Sequence, residues 1–150
     1  MEKSVAIVTG ASQGIGRSTA VRLARDFSAL VLVARDRANL ESTAEKVKAA
    51  GAKVLVIDSD LSQTEAAKSV VDQALAAFDR IDALLNIAGA VPQIDLFEMT
   101  DAQWEAGLAL KLHGARRLTI AAWPALKAAR GAVVLMRATR RSFRRRLTRL

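Results

Sequence analysis

The stretch Thr9-Gly10-Ala11-Ser12-Gln13-Gly14-Ile15-Gly16 decides the fold of this chain. It begins at the end of an apolar run, residues 5–9, and leads into an amphipathic stretch, residues 15–26. A short run that is apolar throughout is typical of a strand covered on both faces, and the amphipathic stretch predicts a helix. The chain therefore opens with a strand, a glycine-rich turn and a helix.

The same alternation continues along the chain. Further apolar runs predict strands at residues 30–34, 54–57, 83–86 and 132–136. Helical patterns lie between them, at residues 38–50, 63–78 and 101–129. Strands and helices that alternate with right-handed crossovers predict an α/β fold, a doubly wound parallel sheet of about five strands with helices on both faces.

A few residues predict where the helices begin and end. Ser62 with Glu65, and Thr100 with Gln103, have the spacing of a capping box. A proline cannot donate a backbone hydrogen bond, so Pro124 predicts a kink or an end in the long last helix.

The three glycines of the first turn each suit a physical task. Gly10 can adopt backbone angles that other residues avoid, Gly14 lets a pyrophosphate approach the backbone, and Gly16 lets the helix pack close to the strand. The N–H groups and the dipole at the helix start favour an anion there. An ordinary glycine-rich turn would look similar, but the position after the first strand of a βαβ unit favours nucleotide binding.

The composition excludes several kinds of site. The 150 residues include no cysteine, one histidine and no tyrosine. Disulfides, zinc–thiolate sites and multi-histidine metal sites are therefore excluded. No segment is long and apolar enough to predict a membrane span, and the first residues show no signal-peptide pattern. We therefore expect a cytoplasmic protein that does not contact a membrane.

The net charge of +8 comes from one short segment. Residues 137–150 contain seven arginines and no acid, whereas the rest of the chain has 16 basic and 15 acidic residues. We interpret residues 1–136 as one domain and 137–150 as an arginine-rich tail. The composition favours an out-of-frame or truncated end. The alternative is a basic arm that binds polyanions, but basic runs alone are weak motifs, so nucleic acid is not a favoured partner.

Four motifs occur in a fixed order along the chain. The Thr-Gly-x-x-x-Gly-x-Gly turn at residues 9–16 comes first, and Asp60-Leu61 follows the third predicted strand. Leu85-Asn86-Ile87-Ala88-Gly89 follows the fourth strand, and Thr100-Asp101-Ala102-Gln103-Trp104 opens the last helix. Together they resemble the short-chain dehydrogenase/reductase family over residues 1 to about 136. The resemblance implies a Rossmann-type NAD(P)-binding domain, which is incomplete here.

The resemblance also implies a function. Members of the family exchange hydride between a nicotinamide dinucleotide and a small-molecule alcohol or ketone, and the resemblance suggests a homo-oligomer formed through the long helix. The glycine turn would hold the pyrophosphate, and Asp60 and Asn86 would hold the adenosine half. The implied cofactor-binding residues are Gly10, Ser12, Gln13, Gly14, Ile15, Gly16, Arg35, Asp60, Leu61, Asn86, Ala88 and Gly89.

The end of the second strand bears on the choice of cofactor. A carboxylate there would bind the 2′-hydroxyl of NAD, but the position holds Ala34, and Arg35 follows it. A guanidinium can pair bidentately with the 2′-phosphate of NADP. We therefore predict NADP over NAD, with Arg17 adding positive field. Asp36 weakens this argument, and a solvated Arg35 is the alternative.

The residues that the family uses for proton transfer are absent from this chain. Without tyrosine there is no Tyr-x-x-x-Lys motif, the family's serine position falls near Ala138, and its helix asparagine falls on Lys111. We interpret Lys111 and His113 as ordinary helix residues and assign no catalytic residue. Losing a general acid/base costs about 10²–10⁴ in rate, so we expect this chain to be inactive. The alternatives are a non-catalytic NADP(H)-binding module and a polyanion binder acting through the tail.

Overall fold

The computed structural model describes residues 3–89 and 94–136. Five strands form its centre: β1 (Val5–Thr9), β2 (Ala29–Ala34), β3 (Lys53–Asp58), β4 (Ala83–Asn86) and β5 (Ala132–Leu135). They make one sheet in the order β3-β2-β1-β4-β5, and each neighbouring pair is parallel. The predicted doubly wound parallel sheet is therefore confirmed.

Helices cover both faces of the sheet. They are α1 (Gly14–Leu23), α2 (Arg37–Ala49), α3 (Ala66–Phe78), α4 (Asp101–Leu108), a π-helical segment (Ala109–Gly114) and α5 (Ala115–Ala128). Helices α1 and α2 share one apolar core with the sheet, and α3 and α5 share the other. All crossovers return to a parallel strand, so the carboxyl ends of the strands lie along one edge.

The two faces of β1 explain why its first four residues are all apolar. Successive side chains of a strand point to opposite faces. Val5 and Ile7 lie in the core with α3 and α5, whereas Ala6 and Val8 lie in the core with α1 and α2. All four are at most 2% exposed. Burying a large aliphatic side chain stabilises a fold by about 1.5–3 kcal/mol, so a polar residue at these positions would be costly.

One of the two predicted capping boxes is present. The Thr100 hydroxyl accepts the Gln103 N–H at 3.3 Å, and the Gln103 side-chain oxygen accepts the Thr100 N–H at 2.9 Å. The predicted box at residues 62–65 is wrong, because α3 begins only at Ala66 and its N-cap makes no side-chain hydrogen bond. The Ser62 N–H donates instead to the Asp60 carboxylate at 3.0 Å. That bond holds residues 60–62 in a turn before the helix.

The predicted single helix over residues 101–129 is interrupted. The backbone widens into the π-helical segment between α4 and α5. Gly114, in that segment, packs so tightly on the Leu61 carbonyl oxygen that a Cβ would lie 2.4 Å from it. Pro124 lies inside α5, which continues to Ala128, so the proline does not end the helix.

Three further predictions concern a membrane span, a metal site and the arginine-rich tail. Over residues 3–89 and 94–136, no helix has the length and apolar composition that crossing a bilayer requires. The same ranges contain no group of three or more histidine or acidic side chains arranged to hold a metal ion. The arginine-rich tail, residues 137–150, lies outside the described residues, so the hypotheses about it stay predictions from sequence.

Candidate functional site

A cleft of about 510 Å³ opens at the carboxyl ends of the strands. Nine of the twelve residues that the sequence assigned to cofactor binding line it: Gly10, Ser12, Gln13, Ile15, Gly16, Arg35, Leu61, Ala88 and Gly89. The structure therefore brings together residues that lie up to 79 positions apart in the chain. Gly14, Asp60 and Asn86 are the three assigned residues outside its lining.

The glycine turn forms the floor of the cleft. Its backbone packs closely at two places, Gly10 on Ala88 and Gly16 on Gly10. Gly10 has a φ of +68°, and a Cβ there would lie 3.0 Å from the backbone nitrogen of Ala88. A Cβ on Gly16 would lie 2.0 Å from the Gly10 carbonyl oxygen, which is closer than any real contact. The turn therefore requires glycine at these two positions for conformational and steric reasons.

The N-terminus of α1 opens into this cleft, and no side chain among the described residues caps it. Its N-cap, Gln13, makes no side-chain cap hydrogen bond, and the first turn contains no acidic residue. Helix α2, by contrast, is capped by Asp36, which accepts the Asn39 N–H at 2.9 Å. The unpaired N–H groups and positive dipole end of α1 suit an anionic ligand such as a pyrophosphate.

A buried threonine ties the two strand-end loops of the cleft together. The Thr9 hydroxyl accepts the N–H groups of Ile87 at 2.9 Å and Ala88 at 3.0 Å, and donates to the Leu85 carbonyl at 3.2 Å. Thr9 is 1% exposed. Thr9 is the first residue of the glycine-turn motif, and the motif alone gives it no role. Its position at the end of a buried strand was the available signal, since a buried hydroxyl needs partners.

We expect Thr9→Val to destabilise the protein by about 2 kcal/mol. Valine has nearly the same shape but leaves the Ala88 N–H without its acceptor, and it leaves the Ile87 N–H with the Leu85 carbonyl alone, at 3.1 Å. Lost hydrogen bonds in the interior are costly. Thr9→Ser keeps the hydroxyl and serves as the control. Urea denaturation of the two variants measures the difference. Equal stability of the valine and serine variants would contradict the role given to this hydroxyl.

Three arginines near the cleft have different surroundings. The Arg17 guanidinium donates to the backbone carbonyls of Ser12 and Asn39 and, at 3.0 Å, to the Thr43 hydroxyl. Arg37 pairs with Asp58 and Glu41, each at 2.9 Å. Arg35 is exposed, lines the cleft, and makes no hydrogen bond or ion pair with the described residues. Of the three, Arg35 is the one whose guanidinium is available to a ligand.

The carboxylate of Asp36, which weakened the argument for NADP, is committed to a helix cap. Both the backbone N–H and the side-chain amide of Asn39 donate to it, at 2.9 and 2.6 Å. The hydrogen bond from the Asn39 backbone holds the pKa of Asp36 below its ordinary value. Asp36 still lines the cleft, so its charge is present there, but its oxygens are largely used by α2.

Asp60 and Asn86 do not line the cleft, and each makes a hydrogen bond to another part of the protein. The Ser62 N–H lowers the pKa of Asp60, and the positive charge of Arg35 contributes to the same shift. Asp60 therefore lies near Arg35 at the end of β3. Asn86 is 4% exposed, and its side-chain amide donates to the Thr119 hydroxyl on α5 at 3.2 Å. In this structure that amide links β4 to α5.

Lys111 lies next to Gly89, which lines the cleft after β4, whereas Arg35 lines it at the end of β2. A Cβ on Gly89 would be 2.8 Å from Cδ of Lys111, so the lysine side chain lies across the Gly89 backbone. Burial lowers the pKa of the Lys111 ammonium.

Sequence reasoning did not assign seven residues that line the cleft: Val33, Ala34, Asp36, Ser59, Ile87, Leu110 and Met136. Most of them sit at or just after the carboxyl end of a strand. That position is itself the signal that could have found them, because ligands of open parallel sheets bind there.

These features define a class of protein. A parallel sheet with a glycine turn after its first strand, an uncapped helix N-terminus and a cleft at the strand ends is a dinucleotide-binding fold of the Rossmann type. The sequence profile described as short chain dehydrogenase matches residues 4–141. The chain belongs to this family, whose members are NAD(P)-dependent oxidoreductases.

Individual relatives agree with that assignment. The short-chain reductase protein NovJ of Streptomyces niveus is 36% identical over 120 residues, which cover 80% of this chain and 46% of that protein. An alcohol dehydrogenase from Thermococcus sibiricus, solved with 5-hydroxy-NADP, superposes with a TM-score of 0.83 at 32% identity, covering 88% of this chain and 57% of that one. A metagenomic short-chain oxidoreductase solved with NADP has a TM-score of 0.81 at 36% identity, with 87% and 60% covered. The chain spans about half the length of the curated relatives it matches.

Proposed function

We propose that this chain is the NADP(H)-binding part of an oxidoreductase that exchanges hydride between the nicotinamide and a small-molecule alcohol or ketone. The observation that carries the proposal is the uncapped N-terminus of α1, which opens into the cleft where Gly16 packs on Gly10. The bound nicotinamide supplies the hydride chemistry, and the protein supplies binding and orientation.

The sheet order supports a direction for the cofactor across the cleft. Strand β1 is central, with β2 and β3 on one side and β4 and β5 on the other. The turn after β1 would receive the pyrophosphate on the N–H groups at residues 14–16. Arg35 and Asp60, at the ends of β2 and β3, would receive the adenosine half. The loop after β4, which includes Ala88 and Gly89, would then face the nicotinamide half.

Charge favours NADP over NAD at the adenosine end. The end of β2 offers Ala34 in place of a carboxylate, and the Arg35 guanidinium makes no hydrogen bond or ion pair within the described ranges, although its charge acts on Asp60. A 2′-phosphate can pair with that guanidinium, whereas the 2′-hydroxyl of NAD finds no carboxylate at the strand end. Two of the similar solved structures carry NADP or a derivative of it and another carries NAD, so these relatives support a nicotinamide dinucleotide, and the choice of NADP rests on the charge argument.

Turnover by this chain alone is not expected. The sequence has no tyrosine, so the residue through which the family moves the hydroxyl proton has no counterpart in it. A non-catalytic NADP(H)-binding module is the second candidate function. A cytoplasmic location stays a prediction from sequence.

The test is a parallel titration of the purified chain with NADPH and NADH, followed by cofactor fluorescence. We expect saturable binding with a preference for NADPH, and no oxidation of NADPH in the presence of a panel of aldehydes and ketones. If the chain bound neither NADPH nor NADH, the proposal would be rejected. Carbonyl reduction by this chain would reject the non-catalytic alternative and the expected inactivity together.

A homo-oligomer formed through the long helix stays part of the proposal. Leu112 in the π-helical segment, and Ile120 and Trp123 on α5, are 54–57% exposed. Large apolar side chains grouped on one helical surface suit a contact with a second copy. Sedimentation equilibrium of the chain, compared with a Trp123→Glu variant, tests this; a monomer at all concentrations would reject it.

A further inference from the structure

The Lys111 side chain lies against Gly89, which lines the cleft after β4. It lies in the π-helical segment, one residue after Leu110, which lines the cleft. Its side chain crosses the backbone of Gly89, where a Cβ would lie 2.8 Å from Cδ and 3.3 Å from Nζ of the lysine. A residue larger than glycine at position 89 would displace this side chain. The ammonium is therefore placed directly over the loop that follows β4.

The positive charge of this ammonium is not neutralised by the described part of the protein. Within residues 3–89 and 94–136, Lys111 makes no hydrogen bond or ion pair, and burial is the sole cause of its lowered pKa. Other lysines of the chain are paired, such as Lys68 with Asp72 and Lys48 with Glu45. A half-buried cation without an acidic neighbour imposes its charge on whatever occupies the adjacent space.

The nicotinamide half of the proposed cofactor would lie in the space beside Lys111. Gly89, Leu110 and Met136 line the cleft beyond the ends of β4 and β5. Arg35 lines it at the end of β2, on the other side of the glycine turn. A dinucleotide whose pyrophosphate lies at the turn therefore places its adenosine half near Arg35 and its other half near Lys111.

We propose that Lys111 makes this cleft favour the reduced cofactor over the oxidised one. The oxidised nicotinamide ring carries one positive charge and the reduced ring carries none, while the rest of the cofactor is the same. A nearby ammonium therefore repels the oxidised form selectively. This inference rests on the proposed function. It gives Lys111 the role of distinguishing the oxidised from the reduced cofactor by the charge of the nicotinamide ring.

The test compares dissociation constants for NADP⁺ and NADPH in four proteins. These are the wild type, Lys111→Met, Lys111→Arg and the control Lys53→Met, whose exposed lysine lies at the amino end of β3, away from the cleft. We expect the ratio of the NADP⁺ to the NADPH dissociation constant to fall about three- to tenfold in Lys111→Met. Lys111→Arg and Lys53→Met are expected to keep the wild-type ratio.

The outcomes separate this inference from the function on which it rests. Binding of neither form by the wild type rejects the proposed function, and the inference with it. Binding of both forms with the same ratio in wild type and Lys111→Met rejects the inference alone. A second neutral variant, Lys111→Gln, supplies the same comparison if the methionine variant does not fold, as judged by its thermal transition.

Discussion

Gly16→Ala is expected to abolish measurable binding of NADPH, which corresponds to a loss of affinity of about 100-fold or more. The added methyl group would lie 2.0 Å from the carbonyl oxygen and 2.6 Å from the carbonyl carbon of Gly10. Both are backbone atoms of the turn, so no flexible side chain can move to relieve the contact. Helix α1 must move away from β1, and the N–H groups that suit a pyrophosphate move with it. Overpacking of this kind also costs about 1–3 kcal/mol of stability or more.

A matched glycine variant separates this steric effect from a general loss of stability. Gly51 follows α2 with a φ of +101°, and a Cβ there would meet no atom within 4 Å. Gly51→Ala therefore adds backbone strain of about 1 kcal/mol and no collision. We expect it to lower the unfolding transition while leaving the affinity for NADPH unchanged. Wild-type affinity in Gly16→Ala would show that the close packing of α1 on the turn is not needed for binding.

The parts of the fold that could be predicted from sequence are those where one physical requirement acts alone. Strand β1 must bury both faces, so its apolar residues identify it without any knowledge of its neighbours. Gly10 and Gly16 are required by close backbone approaches, and the glycine pattern records that requirement. Thr100 and Gln103 cap a helix by local hydrogen bonds three residues apart, and local spacing is visible in a sequence.

The parts that sequence reasoning missed depend on competition between neighbours. Ser62 had the spacing for a cap, but the nearby Asp60 carboxylate takes its N–H, and a pattern alone does not rank two such partners. The π-helical segment depends on packing between Gly114 and the Leu61 carbonyl, which lie far apart in the chain. The assignment of Asn86 to the cofactor stays a prediction, but sequence alone did not show that its amide donates to Thr119 across the β4–α5 contact.

The arginines around the cleft show the same limit at the level of the site. In sequence, Arg17, Arg35 and Arg37 are three basic residues near a glycine turn and a strand end. In the structure, Arg17 braces the turn through backbone carbonyls, and Arg37 is paired with Asp58 and Glu41. The tertiary arrangement shows that Arg35 differs from both, because several partners of the others, Thr43 and Asn39 for Arg17 and Asp58 for Arg37, lie 21 or more positions away in the chain.

That difference leads to the second large expected effect. Arg35→Glu is expected to weaken the binding of NADPH by about 100-fold or more, because a charge-assisted pair worth about 1.5–3 kcal/mol is lost and a repulsive carboxylate replaces it. Binding of NADH is expected to stay within about threefold or to improve, since a carboxylate at the end of β2 can accept the ribose 2′-hydroxyl. The cofactor preference should therefore reverse, and parallel titrations with the two reduced cofactors measure it.

The adjacent arginine provides the control, because its charge is equal but its guanidinium is committed elsewhere. Arg37→Ala removes the pairs with Asp58 and Glu41 on an exposed surface, where ion pairs contribute little to stability. We expect the ratio of NADPH to NADH affinity to stay close to that of the wild type. If Arg37→Ala changed that ratio as strongly as Arg35→Glu, the preference would arise from the summed basic charge near α2. If the ratio responds to Arg35 alone, the Arg35 guanidinium is the group that discriminates between the two cofactors.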